Sequence, residues 1–187
     1  MKSNKIIVAI TGASGSIYAK QLLSRLLELP EKPEITVLFS DNGKKVWDFE
    51  LENERIDETK LRTFPINDFF SAVASGSANY DAMIIIPCSM GTIGRIASGT
   101  SDNLIIRAAD VMLKEKRQLI IVPRESPYNL IHIRNMEMLL LAGAEIIPAS
   151  PSFYSHPKTF NDIIKTVTDK VLSALKYNDG LFEWGKK

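Results

Sequence analysis

Several features that mark particular classes of protein are scarce in this sequence of 187 residues. A single cysteine, Cys88, makes an internal disulfide impossible and fits a reducing compartment. The two histidines, His132 and His156, are far apart and form no cluster with cysteine or carboxylate at ligand spacing, which argues against a catalytic metal site. A formal net charge of +1 gives no electrostatic basis for binding nucleic acid or an anionic membrane.

Long apolar runs are also missing. No stretch reaches membrane-spanning length, and the run nearest the N-terminus is too short for a signal peptide. The length and a hydrophobic content of 45% suit one soluble domain with its own core. We therefore expect a single cytoplasmic domain over residues 1–187.

Short runs rich in Ile and Val alternate with helical patterns along the chain. The strand-like runs are Lys5–Ile10, Glu34–Ser40, Ala82–Pro87, Gln118–Pro123 and Glu145–Ala149. Their continuous apolarity is typical of strands buried on both faces of a parallel sheet. Helices are predicted over Ser16–Leu29, Asp41–Glu50, Ser101–Lys116, Pro127–Ala142 and Lys158–Lys176. This alternation predicts an α/β fold, Rossmann-like or flavodoxin-like, with three layers in which helices flank a parallel sheet.

Two details of this assignment can be checked separately. Ser101 or Asp102 is expected to cap the third predicted helix. The densely charged stretch from Glu50 to Arg62 is interpreted as a solvated connector.

Ligands in such folds bind at the carboxyl ends of the strands. The first loop there, Thr11–Ser16, is rich in glycine and serine, and the amides that open the next helix point toward whatever lies in the turn. An anion such as phosphate suits this place, although any tight strand-to-helix turn uses the same residues. The spacing is not GxGxxG, and no Gly-Lys-Ser/Thr of a P-loop follows.

A second small polar turn, Pro87–Thr92, faces the first across the predicted crevice. The hydroxyls of Ser89 and Thr92, with free amides, could hold phosphate oxygens or polar edges of a cofactor. Cys88 lies in the same turn. A buried, inert thiol is the better interpretation than a nucleophile, because no histidine is near it in sequence.

Charged residues mark two further places. Arg107 and Lys114 lie two turns apart on one face of a predicted helix with Asp110 between them, which is compatible with a solvated face or with an anion site. Arg124 and Glu125 directly follow a buried strand. There the guanidinium can bind phosphate as a fork and the carboxylate can transfer protons, while an ordinary capping pair is the alternative.

Together these motifs resemble those of the UbiX-like flavin prenyltransferases, in the superfamily of homo-oligomeric flavin-containing Cys decarboxylases. The resemblance covers nearly the whole chain. Its carriers are TGASG at 11–15, PCSxxT at 87–92, DNLxxRAADVxLKE at 102–115, PRExP at 123–127, HxxNM at 132–136 and the Phe-Tyr pair that ends 148–154. Each motif is weak alone, and the ordered set is strong.

The resemblance implies a reaction. That family joins a dimethylallyl group from dimethylallyl phosphate to N5 and C6 of reduced FMN, without a metal, and the prenylated FMN serves a partner decarboxylase of the UbiD type. The family also implies a homo-oligomer, a dodecamer, with a C-terminal tail from about residue 177 that folds over a neighbouring subunit. Leu139, Leu140 and Leu141 support assembly modestly, because they run all round one predicted helix.

Residue roles follow from the same resemblance. The residues expected to bind FMN are Gly12, Ala13, Ser14, Ser40, Ser89, Met90, Gly91, Thr92 and Arg124. Those expected to bind the substrate are Arg107, Lys114, Arg124, Tyr154, Lys170 and Trp184. Glu125 matches a proton-handling acid, and Ser14 and Glu50 match further catalytic positions. Gly91 stands where many members have Lys or a similar residue and Lys170 where Arg is common, and periodicity alone would place Lys170 on a solvated face.

Two other readings of the sequence stay open. A flavin-dependent decarboxylase of the phosphopantothenoylcysteine or peptidyl-cysteine type shares the fold, but its early histidine and its PxSANT turn are missing from this sequence. A non-catalytic FMN-binding subunit of a decarboxylase complex would need the flavin site alone.

Overall fold

Strands and helices alternate along the chain in the computed structural model, which describes residues 3–54, 56, 59–178, 180–181 and 185. The strands are β1 (Lys5–Ile10), β2 (Glu34–Phe39), β3 (Arg62–Thr63), β4 (Ala82–Cys88), β5 (Gln118–Pro123) and β6 (Glu145–Ile146). The α-helices are α1 (Ser16–Glu28), α2 (Asp41–Glu50), α3 (Met90–Ala97), α4 (Leu104–Lys114), α5 (Leu130–Leu141) and α6 (Phe160–Ala174). Two short 3₁₀ helices, Ala72–Ala74 and Gly76–Ala78, lie between β3 and β4.

The six strands form one sheet in the order β3-β2-β1-β4-β5-β6, and every pairing in it is parallel. Successive residues of β1 point to opposite faces, so Ile6 and Val8 pack with Leu22 of α1, while Ile7 packs with Ile93 of α3. A core therefore lies on each side of the sheet. This confirms the predicted α/β fold with a parallel sheet between layers of helices.

The structure differs from the sequence assignment in several elements. Strand β3 was not predicted, and helix α5 begins at Leu130 rather than at Pro127. Helix α3 was not predicted, because the small residues that open it read as a loop. Helix α4 begins later than expected, and its cap is Asn103, whose side-chain oxygen accepts the amide of Ile106 at 3.1 Å. Asp102 pairs instead with Arg95. The last strand keeps only Glu145–Ile146 of its predicted five residues, although the amide of Ala149 still donates to Pro123 at 3.0 Å.

Membrane insertion has no support in the helices. Within the described ranges, none is both long and apolar enough to cross a bilayer.

Candidate active site

The loops after β1 and β4 meet at the carboxyl edge of the sheet. These strands are neighbours, and the helices that follow them, α1 and α3, cover opposite faces, so a crevice opens between the two loops. Thr11 joins the loops. Its buried hydroxyl donates to the carbonyl of Pro87 at 2.8 Å and accepts the amide of Ser89 at 2.9 Å. The structure thus brings together the two small polar turns that the sequence singled out.

The loop after β2 closes on the same place. Ser40 caps α2, with its hydroxyl accepting the amide of Gly43 at 3.0 Å. Glycine is required at position 43, because a Cβ there would stand 2.3 Å from the carbonyl oxygen of Ile10. A Cβ at Gly12 would similarly lie 2.7 Å from the Cβ of Asn42. The first two loops are therefore held in tight contact by small residues.

The third loop presents backbone rather than side chains. Ser89 caps α3, and its hydroxyl lies 3.0 Å from that of Thr92. The side chains of Met90 and Thr92 are buried. Gly91 is exposed, and nothing lies within 4 Å of where its Cβ would stand, so this position has room for a Cβ.

A carboxylate of the protein occupies the N-terminus of α1, where the sequence suggested a phosphate. Glu50, the last residue of α2, accepts the amide of Gly15 at 2.9 and 3.1 Å and that of Ser16 at 2.8 Å. Burial raises the pKa of Glu50, but hydrogen bonds from the Ser14 hydroxyl and from these amides outweigh it and hold that pKa below its ordinary value. The interpretation of Glu50–Arg62 as a solvated connector is therefore wrong at its first residue, because the helix dipole and two amides attract the carboxylate.

The hydroxyl of Ser16 lies beside the same carboxylate and is fully buried. It has no partner at hydrogen-bonding geometry among the residues that the structure describes. Ala13, three residues earlier in the same loop, is buried as well, whereas Gly12 and Ser14 are exposed.

Arg124 and Glu125 follow β5, with the amide of Arg124 donating to the carbonyl of Cys88 at 3.2 Å. Both side chains are exposed. The guanidinium makes no hydrogen bond or ion pair with the described part of the chain, and one carboxylate oxygen of Glu125 accepts the amide of Ser126 at 3.0 Å. An unpaired cation and an oriented acid thus stand side by side at the edge of the crevice.

Tyr18 belongs to this region, although sequence reasoning did not find it. Burial raises the pKa of its phenol, and the charge of Arg124 partly opposes that effect, so the two side chains are near each other. Its ring would be 3.0 Å from a Cβ at Gly15. The sequence carried no signal for this residue, because its proximity to Arg124 depends on how α1 meets the loop after β5.

Cys88 is completely buried below these loops, and burial raises the pKa of its thiol. This agrees with the interpretation of Cys88 as inert. Within the described ranges, no group of three or more His, Cys, Asp or Glu residues could hold a metal ion.

The expected substrate cations are not gathered within one chain. Arg107 donates to Asp110 at 2.8 Å and to the carbonyl of Ala74 at 3.2 Å, and Lys114 pairs with Glu115. Lys114 ends α4, just before β5, whereas Arg124 follows β5. Strand β5 has six residues with a rise of about 3.3 Å each, so the backbone positions of Lys114 and Arg124 are about 20 Å apart.

Lys170 lies toward the same edge of the sheet as Lys114, although α6 and α4 cover opposite faces of the sheet. The amide of the Gln118 side chain, at the start of β5, donates to Ala174 at 3.0 Å, which places the end of α6 near the amino edge of the sheet. Lys170 is exposed one turn earlier, and its neighbour Asp169 already pairs with Arg25 at 2.6 Å and with Lys165.

Of the two aromatic residues expected to bind the substrate, Tyr154 is exposed. Trp184 lies outside the described residues.

A cleft of about 620 Å³ opens beside α2 and the loop after β2. Its lining combines aromatic rings with polar groups, and it includes Phe39, Ser40, Lys44, Trp47 and Phe64. Ser40 is thus shared between this cleft and the crevice at the carboxyl edge.

Comparison with known proteins decides the family. The Flavoprotein family model matches residues 1–172. The flavin prenyltransferase UbiX of Methanocaldococcus jannaschii is 47% identical over 184 residues, which is 97% of this chain and 98% of that protein. This chain belongs to the flavin prenyltransferases. The resemblance drawn from the sequence motifs is confirmed.

Solved structures of flavin prenyltransferase relatives have the same fold. AnUbiX (PadA1), crystallised in complex with FMN and dimethylallyl pyrophosphate, is 35% identical with a TM-score of 0.90, covering 100% of this chain and 99% of that one. The dodecameric FMN-dependent UbiX-like decarboxylase of Escherichia coli O157:H7 is 39% identical with a TM-score of 0.86. The alignment covers 92% of this chain and 94% of that chain.

Proposed function

We propose that this chain is a flavin prenyltransferase that joins a dimethylallyl group from dimethylallyl phosphate to reduced FMN. Membership of the family supports the reaction, and the relative that holds FMN and dimethylallyl pyrophosphate supports the class of substrate. The observation within this chain that carries the proposal is the crevice between the loops after β1 and β4, with the unpaired guanidinium of Arg124 at its edge.

The residues of the crevice fit FMN. Exposed Gly12, Ser14 and Gly91 let backbone approach a planar ligand closely, and Ser40 adds a hydroxyl on the adjoining loop. Arg124 can bind phosphate or ribityl oxygens through N–H groups that nothing else in the described chain uses. Ala13, Ser89, Met90 and Thr92 would contribute mainly through backbone or through the capping hydroxyls. Reduced FMN supplies the nucleophilic N5 and C6 that receive the dimethylallyl group.

Three residues would move protons. The Glu125 carboxylate is exposed and oriented by the Ser126 amide, so it can accept or deliver a proton beside Arg124. The Glu50 carboxylate, whose pKa is held low, is ionised at neutral pH and can accept a proton through the hydroxyl of Ser14. These are two separate acid–base groups on the two sides of the crevice.

The substrate phosphate site would be completed by neighbouring copies of the chain. Lys114 and Lys170 lie toward the other edge of the sheet from Arg124, so one chain cannot bring them to one phosphate. With Arg107 and Tyr154 they would reach the phosphate across a subunit boundary. Trp184, on a tail from about residue 177, would add an aromatic wall able to favour an allylic cation.

Assembly of this kind has support outside the site. One relative is dodecameric, and α5 exposes a row of apolar side chains to solvent in the single chain. They are Leu130, Ile131, Ile133, Met138, Leu140 and Leu141, while Leu139 alone on that helix is buried. We propose a homododecamer of one-domain chains in the cytoplasm, with a UbiD-type decarboxylase as the recipient of prenylated FMN.

The test is to incubate the pure protein anaerobically with reduced FMN and dimethylallyl phosphate, and to measure the mass and spectrum of the released flavin. We expect flavin heavier by one dimethylallyl group, and none with an Arg124→Met variant. Flavin that binds but stays unmodified would point to a non-catalytic FMN-binding subunit. Decarboxylation of a cysteine-containing substrate in place of prenylation would point to the cysteine decarboxylases. Either result would overturn the proposal.

A further inference from the structure

The chain folds back on itself directly after Glu50. Residues 51–54, which we name the brace, leave the end of α2 and return to its side, where the indole of Trp47 donates to the carbonyl of Glu54 at 2.7 Å. The amides of Leu51 and Asn53 donate to the carbonyls of Trp47 and Asp48, each at 2.9 Å, and the amide of Glu54 donates to Leu51 within the brace at 2.9 Å. The brace is therefore hydrogen-bonded to α2 at several points.

The brace is also conformationally demanding. Glu52 and Asn53 follow one another with φ values of 51° and 60°, in the left-handed region that non-glycine residues rarely adopt. Two such residues in succession persist only where the surrounding contacts hold them. Trp47 supplies the strongest of these contacts, since its ring is buried and packs edge-on against Phe39.

From this position the brace reaches helix α1. The carboxylate of Glu54 pairs with the ammonium of Lys20, which lies one turn below Ser16 on α1. Glu50 and Glu54 thus contact the same helix at two levels, Glu50 at its first amides and Glu54 at the next turn. Two contacts fix the distance and the orientation between α1 and the end of α2, which a single contact would not do.

We propose that Glu54 is a positioning residue, held by Trp47 and Lys20, that keeps the Glu50 carboxylate on the amides of Gly15 and Ser16 and beside the Ser14 hydroxyl. The inference rests on the proposed function, in which Glu50 takes part in proton transfer. The structural claim can be tested independently of that function, however, because the contact of Glu50 with α1 can be measured without turnover.

The experiment compares the full-length holoenzyme with Glu54→Gln and Trp47→Phe variants, and with a charge swap that combines Lys20→Glu and Glu54→Lys. Hydrogen exchange of the peptide carrying the amides of Gly15 and Ser16 is measured by mass spectrometry. Single-turnover rates with reduced FMN, the KM for dimethylallyl phosphate and the pH profile of the rate are measured on the same proteins. Arg62→Met is the matched control, because it removes a comparably exposed ion pair with Glu34 at the edge of the sheet.

We expect faster exchange in Glu54→Gln and Trp47→Phe, and a rate lower by about two- to fivefold, as loss of one partly exposed contact implies. The KM should stay unchanged. The acid limb of the pH profile should move to higher pH, because a looser Glu50 loses the hydrogen bonds that lower its pKa. The charge swap should restore all three, and Arg62→Met should behave as wild type.

Wild-type exchange and wild-type rates in Glu54→Gln would overturn the inference. So would a lower rate that comes with a lower melting temperature and is not restored by the charge swap, since that combination describes a general loss of structure. If the wild-type protein forms no prenylated FMN, the proposed function fails, and the exchange data still decide whether the brace positions Glu50.

Discussion

The hydroxyl of Thr11 accepts the amide of Ser89 at 2.9 Å across the crevice. This hydrogen bond joins the loop after β1 to the loop after β4. The same hydroxyl donates to the carbonyl of Pro87. Both partners belong to the loop that presents Gly91 and the start of α3. The buried side chain of Thr11 therefore contributes two of the hydrogen bonds that hold the two loops together, beside the backbone bond from its own amide to Pro87 at 3.3 Å.

Thr11→Val should therefore lower the free energy of unfolding by about 1–3 kcal/mol, because it leaves the part-buried amide of Ser89 without a partner, while the Pro87 carbonyl keeps only the backbone amide of Thr11 at 3.3 Å. Ser16→Ala, a change at an equally buried hydroxyl that lies beside the Glu50 carboxylate but makes no hydrogen bond of full geometry, should lower the free energy of unfolding by less than Thr11→Val does. Urea unfolding of the two variants measures the contrast. Equal losses in both would contradict the assigned hydrogen bonds.

Glu125→Gln should keep FMN binding and lose most turnover. In the proposed mechanism the exposed carboxylate transfers a proton, which an amide cannot do, and general acid–base groups contribute about 10²–10⁴-fold. Flavin titration followed by fluorescence checks binding, and single-turnover formation of prenylated FMN checks the rate. A rate near that of wild type would remove Glu125 from the mechanism.

Lys170→Ala should raise the KM for dimethylallyl phosphate with little effect on FMN affinity, and Lys170→Arg should be tolerated. The loss of one charge-assisted contact should weaken the binding of dimethylallyl phosphate by about ten- to a hundredfold. Lys158→Ala, another exposed lysine near the start of α6, serves as control. Steady-state kinetics at saturating reduced FMN that place Lys170→Ala within twofold of wild type would make Lys170 a surface residue.

Acid should destabilise the protein partly through Glu50. Its pKa is lower in the folded chain than its ordinary value of 4.5, so the unfolded state binds the proton more tightly. This contribution to stability is present above about pH 4.5 and is lost as the pH falls through the folded pKa. Glu50→Gln should be less stable than wild type at neutral pH, and the difference should shrink below pH 4.5. A constant difference across that range, measured by urea unfolding, would argue against the assigned contact.

Leu141→Asp should dissociate the oligomer, because this side chain is 83% exposed in the single chain and would be desolvated in an interface. Burying one such side chain stabilises an interface by about 1.5–3 kcal/mol. A carboxylate at the same position opposes assembly, because burying an unpaired charge is costly. Glu137→Gln on the same helix is the control. Light scattering of the wild type should give a multiple of 20.9 kDa. A wild-type monomer at micromolar concentration would refute the assembly.

The sequence predicted those parts of the fold whose pattern is local. Continuous apolar runs located β1, β4 and β5 to within a residue, because a strand covered by helices on both faces is apolar along most of its length. Helix α3 was missed for the opposite reason. Its first turn is made of small residues that serve the loop, and its helical character comes from packing Ile93 and Ile96 against the core.

The site was predictable as a set of loops and only partly as a set of contacts. Thr11–Ser16 and Pro87–Thr92 converge because parallel strands end at one edge, which a sequence reveals. The position of Glu50 on α1 depends on how α2 packs beside that helix, and no spacing in the sequence encodes it. The same applies to Tyr18, whose proximity to Arg124 joins α1 to the loop after β5.

The separation of Lys114 from Arg124 along β5 has a consequence for how the protein would behave at different concentrations. If the phosphate site spans subunits, specific activity is a property of the assembly and not of the chain. Dilution below the dissociation constant of the oligomer would then abolish turnover, while each chain keeps its fold, the contact of Glu50 with α1 and the loops after β1 and β4. Specific activity would rise with protein concentration and level off once assembly is complete.

Mixing two inactive variants, Lys114→Ala and Arg124→Met, would restore a fraction of the sites, because each variant carries the cation that the other has lost.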